Sequence, residues 1–310
     1  MNKWLKPALF LIFIVFVCSV LSRVLTSGET LSEYAAHNPE TAYAAPEVSA
    51  APSASPTALS TAPPEASPSP TPSASPAPTF SPLAEESKDS VHYEDGFFYQ
   101  PLTAAVTAQI TGLSYPVTES IAPALSLQAV NVVPDDAVLA ISYDDLRYLN
   151  VLYYDFDGNV QAGELICHKG IAQDLVEIFY ELYLNEYQIE KIRLVDEYGG
   201  DDTASMLDNN TSCFNYRVVD GTDSLSKHAL GCAIDINPFY NPYVVFNKDG
   251  NGETYISPEG SEIYADRSKD FPYKIDESDL CYQLFKAHGF TWGGNWNSSK
   301  DYQHFQKVVN

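Results

Sequence analysis

The chain has 310 residues and carries 41 acidic against 17 basic side chains, a formal net charge of −24. That balance argues against nucleic acid as a partner, because a phosphate backbone demands a basic footprint. The 21 Tyr and 15 Phe, gathered mostly beyond residue 90, argue against disorder along the whole length.

Lys3 and Lys6 precede an apolar run from Pro7 to Leu21, which Ser22-Arg23 closes. Positive charge followed by such a run is an export signal, with the basic end left inside. No small-x-small cleavage site follows directly, so residues 1–28 read as an uncleaved signal anchor; secretion after cleavage is the alternative. Residues 29–90 form a linker, and from Ala44 to Pro82 it is dominated by Ala, Pro, Ser and Thr with almost no charge. Such a tract cannot bury a core, and its 44–82 portion would reach roughly 120 Å if stiff.

Folding signals begin near Tyr93, and roughly 220 residues are ample for one packed domain. We assign it to 91–310, with 135–310 as its core and 91–134 as a lead-in packed on it. Leu139–Tyr143, Leu152–Phe156 and Val160–Cys167 read as strands, the last two joined by a turn at Asp157-Gly158. Apolar residues at 171, 175, 178, 179, 182 and 183 predict an amphipathic helix over 171–187. Ile189–Val195 reads as a strand, and Asp196–Asn215 as a long polar loop of the kind that carries function. A short buried strand around Ile234-Asp235-Ile236, a turn over Asn247–Thr254, and a helix over Ser278–His288 stopped by Gly289 complete an α+β pattern.

Four cysteines lie in this part: Cys167, Cys213, Cys232 and Cys281. Their spacing matches no disulfide scaffold or cysteine-type zinc motif, so they read as free thiols, with Cys213–Cys232 the first pairing to check. Of the six histidines, His37, His92, His168 and His288 read as structural. His228 differs through its company: Asp235 stands between two isoleucines in a segment that otherwise wants burial, and its charge needs a compensating cation. Pairing with Arg217 or Lys227 would answer that need; so would a metal.

His228, Asp235 and His304 make a His/His/carboxylate set, one of the ligand sets of hydrolytic zinc sites, which leave a fourth position open. Asp301, three residues before His304, would then serve as the base that takes the proton of the attacking water. In a helical turn Asp301 and His304 would share a face; in a single strand they would not. Arg217 could anchor a substrate carboxylate or steady an oxyanion, or sit in a surface ion pair. Ser226 could bond substrate or orient a ligand. Trp292 and Trp296, around a Gly pair, could line a pocket wall, with Trp292 the one assigned to substrate and core packing the alternative.

The two-part pattern Ser226-x-His228-x-x-Gly231-x-Ala233-x-Asp235 and Asp301-x-x-His304 resembles the zinc peptidases of the D-alanyl-D-alanine carboxypeptidase group (VanY-like, LAS group), which act on bacterial cell-wall peptides. The flanking Asn209–Arg217, Ile236-Asn-Pro238 and Trp292–Trp296 are similar to the branch with L-alanyl-D-glutamate endopeptidases. The resemblance implies one zinc ion on His228, Asp235 and His304, Asp301 as base, and Arg217 on substrate or oxyanion. It implies a compact hedgehog/DD-peptidase-like fold with the zinc on a small antiparallel sheet. It further implies peptidoglycan peptides as substrate, with the domain held at the membrane and facing the cell wall. A non-catalytic zinc-containing wall-binding or peptide-sensing module is the other class the pattern allows.

Overall fold

The computed structural model describes residues 78, 80–125, 128–219, 222–248, 250 and 252–309, all within one compact unit, Pro70–Asn310. The signal anchor assigned to 1–28, and the linker up to residue 77, lie outside the described residues. Among the described residues no helix is long and apolar enough to cross a membrane.

The architecture is mixed α+β, with several small sheets. Strands β1 (Val91–Glu94) and β2 (Phe97–Pro101) open it, followed by helix α1 (Ala104–Ile110) and a two-residue parallel pair, β3 (Val117–Thr118) with β4 (Val132–Val133). The hairpin β5 (Leu146–Tyr154) and β6 (Val160–His168) is the longest pairing, in register from Leu146↔His168 to Tyr154↔Val160. Its turn closes because Asp155 Oδ1 accepts the N–H groups of Asp157 and Asn159 while Gly158 takes φ +78°. Together these strands form an antiparallel sheet in the order β1-β2-β5-β6. The segment 91–134 is therefore more than a lead-in, since two of its strands complete this sheet. Linker residues nearest the domain also reach it: Gln100 bonds the Glu85 carbonyl, the Ser87 N–H and the Ser90 hydroxyl.

Side-chain alternation splits the core between the two faces of this sheet. Leu149, Val151, Leu165 and Cys167 pack on helix α2 (Ala172–Leu184), whose Leu175, Val176, Ile178, Phe179 and Leu182 are all buried. Phe98, Leu146, Tyr148 and Ile166 face the other way, onto Val106 and Ile110 of α1 and Phe214. Burying each such side chain contributes about 1.5–3 kcal/mol, so both faces hold the sheet.

Beyond α2 the structure departs from the expected strands. Leu139–Tyr143 is not a strand, because Ser142 and Asp145 cap each other and turn the chain into a 3₁₀ segment, Tyr143–Asp145. In Ile189–Val195 only β7 (Lys191–Ile192) pairs, in parallel with β8 (Asn210–Thr211). The long polar loop is a built segment: it holds a 3₁₀ turn, Val195–Tyr198, and helix α3 (Asp202–Leu207), whose first N–H groups are capped by Asp201. All four cysteines named above are free and buried.

The C-terminal part then supplies two three-stranded antiparallel sheets. Its strands are β9 (Ala233–Asp235), β10 (Tyr243–Val245), β11 (Tyr255–Ser257), β12 (Thr291–Trp292), β13 (Lys300–Asp301) and β14 (His304–Gln306). One sheet runs β11-β10-β13 and the other β12-β14-β9. Helix α4 (Leu280–Ala287), capped by Asp279 and ended before Gly289 at φ +82°, packs Phe285 against Phe305 of β14, ring centroids 4.4 Å apart.

Candidate active site

The three expected metal ligands converge because the β9–β14 register sets Asp235 directly opposite His304. Directly opposed side chains share one face of a sheet, and here His304 Nδ1 lies 2.9 Å from Asp235 Oδ1. His228 arrives from the 3₁₀ turn His228–Leu230 just ahead of β9. The reversal after it is made at Gly231, φ +62°, where a Cβ would stand 2.6 Å from the backbone nitrogen of His168. Only glycine fits there. His228 Nε2 then lies 3.2 Å from His304 Nδ1 and 3.3 Å from Asp235 Oδ1.

The remaining ring nitrogens show which way each imidazole is presented. His228 Nδ1–H donates to the Cys213 carbonyl at 2.6 Å, and His304 Nε2–H donates to Gln306 Oε1 at 3.0 Å. With those protons engaged, the His228 Nε2 and His304 Nδ1 lone pairs both turn inward, as metal-binding imidazoles require. A tetrahedral ion with donors at about 2.0–2.1 Å would separate them by roughly 3.3 Å, close to the spacings observed. The donor set fits a zinc-type ion, and among the described residues it is the one group of this kind.

Electrostatics agree. Burial works against charge on Asp235, yet His228 and His304 hold its carboxyl well below the usual carboxylate range. For His304 burial favours the neutral ring, but Asp235, Asp301 and Gln306 overcome it and raise the pKa to about 9. The carboxylates around the ring thus favour positive charge at this point, which a bound cation would supply in place of a proton.

Asp301 and His304 do not lie on one helical turn. They belong to different sheets: Asp301 pairs with Tyr243 of β10, and the chain passes from β13 to β14 through Tyr302-Gln303. That change of sheet brings both residues to one cavity, which a single continuous strand would not. Gly293 makes the close approach possible, since a Cβ there would lie 2.6 Å from the Asp301 carbonyl oxygen. Asp301 keeps partial exposure, but its Oδ1 is buried and has no hydrogen-bond partner. Burial pushes its carboxyl up to about 7; the charge of Asp235 adds to the rise, and His304, a hydrogen bond from the Gln303 side chain and Arg217 oppose it.

These residues line a cavity of about 870 Å³. Arg217 is on its wall, fixed by a 2.7 Å ion pair with Asp202 on α3, and its Nε is buried without a partner. Asp235 takes neither Arg217 nor Lys227 as its partner; its contacts are the two imidazoles. Ser226 also lines the cavity, with Oγ accepting the N–H of His228 at 3.2 Å, so it orients the turn that presents this ligand. Trp292 corrects the sequence reading. It is 7 % exposed, packs on Tyr282, Tyr302 and Phe305, and donates its indole N–H to the Tyr302 carbonyl. Of the two tryptophans only Trp296 lines the cavity, its ring 5.3 Å from that of His304. Gln306 and the Asp202 partner were not anticipated. Gln306 had a readable signal, because a residue two places beyond His304 in a strand shares its face; Asp202, remote in sequence from every motif, had none.

Two imidazoles and a carboxylate gathered around one point, with a second carboxylate lining the same cavity, are the equipment of a metal-dependent hydrolase. Residues 220–307, which hold all of these except Arg217 and Asp202, match the family model described as D-alanyl-D-alanine carboxypeptidase. The match supports reading the site as that of a peptidase. No curated protein and no solved structure matches the chain.

Proposed function

We propose that the protein is a zinc peptidase of the VanY-like (LAS) group that hydrolyses amide bonds in peptidoglycan stem peptides, as a D-alanyl-D-alanine carboxypeptidase or an L-alanyl-D-glutamate endopeptidase. The observation that carries this reading is the meeting of the His228/Asp235/His304 donors with the orphaned Oδ1 of Asp301 in one cavity. His228 Nε2, Asp235 and His304 Nδ1 would hold the ion. A bound zinc ion supplies Lewis acidity, polarising the scissile carbonyl and acidifying the attacking water. Asp301, whose carboxyl burial raises above the usual carboxylate range, takes the proton of that water and returns it to the leaving amine nitrogen. Arg217, held by Asp202 on the cavity wall, offers its guanidinium to a substrate carboxylate or to the oxygen on which charge develops. Residues 1–28 keep the domain at the membrane, and the linker extends it outward into the cell wall.

The other class, a zinc-containing wall-binding or peptide-sensing module, leaves Asp301 Oδ1 buried and unused. The deciding experiment incubates the zinc-loaded protein with defined muropeptides and identifies the products by mass spectrometry. Loss of a terminal D-alanine marks a carboxypeptidase, and a cut after L-alanine marks an endopeptidase. Intact muropeptides would refute the enzyme reading.

A further inference from the structure

In a chain with 41 acidic and 17 basic side chains, a cation normally finds a carboxylate close by. Lys169, Lys191, Arg193, Lys269, Lys274 and Lys307 each do so, with nitrogen–oxygen distances of 2.7 to 3.5 Å. Lys227 does not. It is exposed, lines the cavity described above, and among the described residues meets no carboxylate. Its backbone is fixed there: it is the N-cap of the 3₁₀ turn that presents His228, and its carbonyl accepts the N–H groups of Leu230 and Cys232 at 3.2 and 3.0 Å. Lys248, also exposed, lines the same cavity, with Nζ 3.6 Å from the centre of the Tyr255 ring.

The cavity wall therefore differs in charge from the rest of the molecule. Its basic side chains, Arg217, Lys227 and Lys248, equal its acidic ones, Asp202, Asp235 and Asp301, in number. The acidic three are already engaged: Asp202 with Arg217, Asp235 with the two imidazoles, and Asp301 as the proton carrier of the proposed reaction. Positive charge on a concave wall focuses its field on an anion that enters. Arg217 answers to one carboxylate or to the oxyanion. A second cation calls for a second carboxylate, and a linear peptide ends in only one, so the other is carried along the chain. We propose that Lys227 is a specificity-determining residue that pairs with a free carboxylate carried within the substrate peptide, so that the cavity selects acidic peptides over those amidated at that carboxyl. This rests on the reading of the cavity as a peptidase site and adds the substrate feature it selects.

The test uses zinc-loaded protein carrying Asp301→Asn, so that peptides bind without turnover, and isothermal titration calorimetry at low salt, where exposed charges are least screened. The probes are the pentapeptide L-Ala-γ-D-Glu-L-Lys-D-Ala-D-Ala, whose γ-linked glutamate leaves its α-carboxylate free, and the same peptide with that carboxylate replaced by a carboxamide. The acidic peptide should bind about fivefold more tightly, the upper end for a pair made by an exposed lysine. Adding Lys227→Gln should weaken the acidic peptide by that factor and the amidated one no further, while Lys227→Arg should keep the discrimination. Lys227→Met, which retains the aliphatic stem, serves as a second neutral variant should Gln alter the melting temperature or zinc content. Unchanged discrimination in both neutral variants overturns the proposal. So does its loss in Lys227→Arg as well, and so does a parent protein that binds the two peptides equally or binds neither. Failure of the peptidase reading shows separately, as muropeptides left intact by the wild-type protein whatever these binding constants are.

Discussion

Gln306 offers the sharpest test of how the site is held. Its amide oxygen accepts the Nε2–H of His304 at 3.0 Å, which commits the ring to presenting Nδ1 to Asp235 and His228. Replacing Gln306 with Leu removes that acceptor at nearly constant volume. A cation would take Nδ1, so the bond from Nε2–H to Gln306 is kept in the metal-bound ring, and its loss weakens the bound state. Partners of this kind change metal affinity by 10–100-fold, about 1.4–2.7 kcal/mol. Gln306 is only partly buried, so water can replace part of the bond, and the lower end, about tenfold, is expected. Gln306→Glu, which keeps an acceptor in place, should bind zinc at least as tightly as the wild type. Competition against a chromophoric chelator measures all three proteins. A Gln306→Leu affinity within twofold of wild type would refute the argument that this residue fixes the ligand tautomer, as would equal losses in the Leu and Glu variants.

Two further expectations concern the site and a buried carboxylate outside it. Asp301→Asn should keep full zinc content, measured by elemental analysis, and lose roughly 10²–10⁴-fold in turnover, the range for a general base; His304→Ala should lose both. Asp196, buried beneath Ser114 N–H at 3.1 Å and Ser114 Oγ at 2.9 Å, has its carboxyl pushed up to about 6 by burial. Against an unfolded value of about 3.9, the native state binds the extra proton between pH 4 and 6. Stability from this group is therefore full below pH 4, falls as pH rises to 6, and is level above, a change of about 3 kcal/mol. Asp196→Asn should remove that slope in urea unfolding between pH 4 and 7, and an unaltered slope would contradict the assigned burial.

How much of this could be read from the sequence depended on whether the deciding forces were local. The β5–β6 hairpin, α2 and α4 announce themselves through periodicity, an Asp-Gly turn and a Gly stop, and the structure has each of them within a few residues or, for the start of β5, six. Leu139–Tyr143 misled because its alternation is real, yet Ser142 and Asp145 bond each other more cheaply than they could join a sheet. At the site, His228, Gly231 and Asp235 were legible as a unit, since a buried carboxylate and an obligatory glycine leave a local trace. The spacing of Asp301 and His304 was legible but its geometry was not. Three residues apart left a helical turn and a strand both open, whereas each residue answers to a different strand, Tyr243 for Asp301 and Asp235 for His304. The choice between Trp292 and Trp296 likewise hangs on a contact ten residues away, the Tyr302 carbonyl that draws the Trp292 indole inward. Gln303 shows the converse. In sequence it is an unremarked residue between two motif positions, and it acquires meaning only because strand pairing on both sides buries its side chain beside Asp301 and Met206.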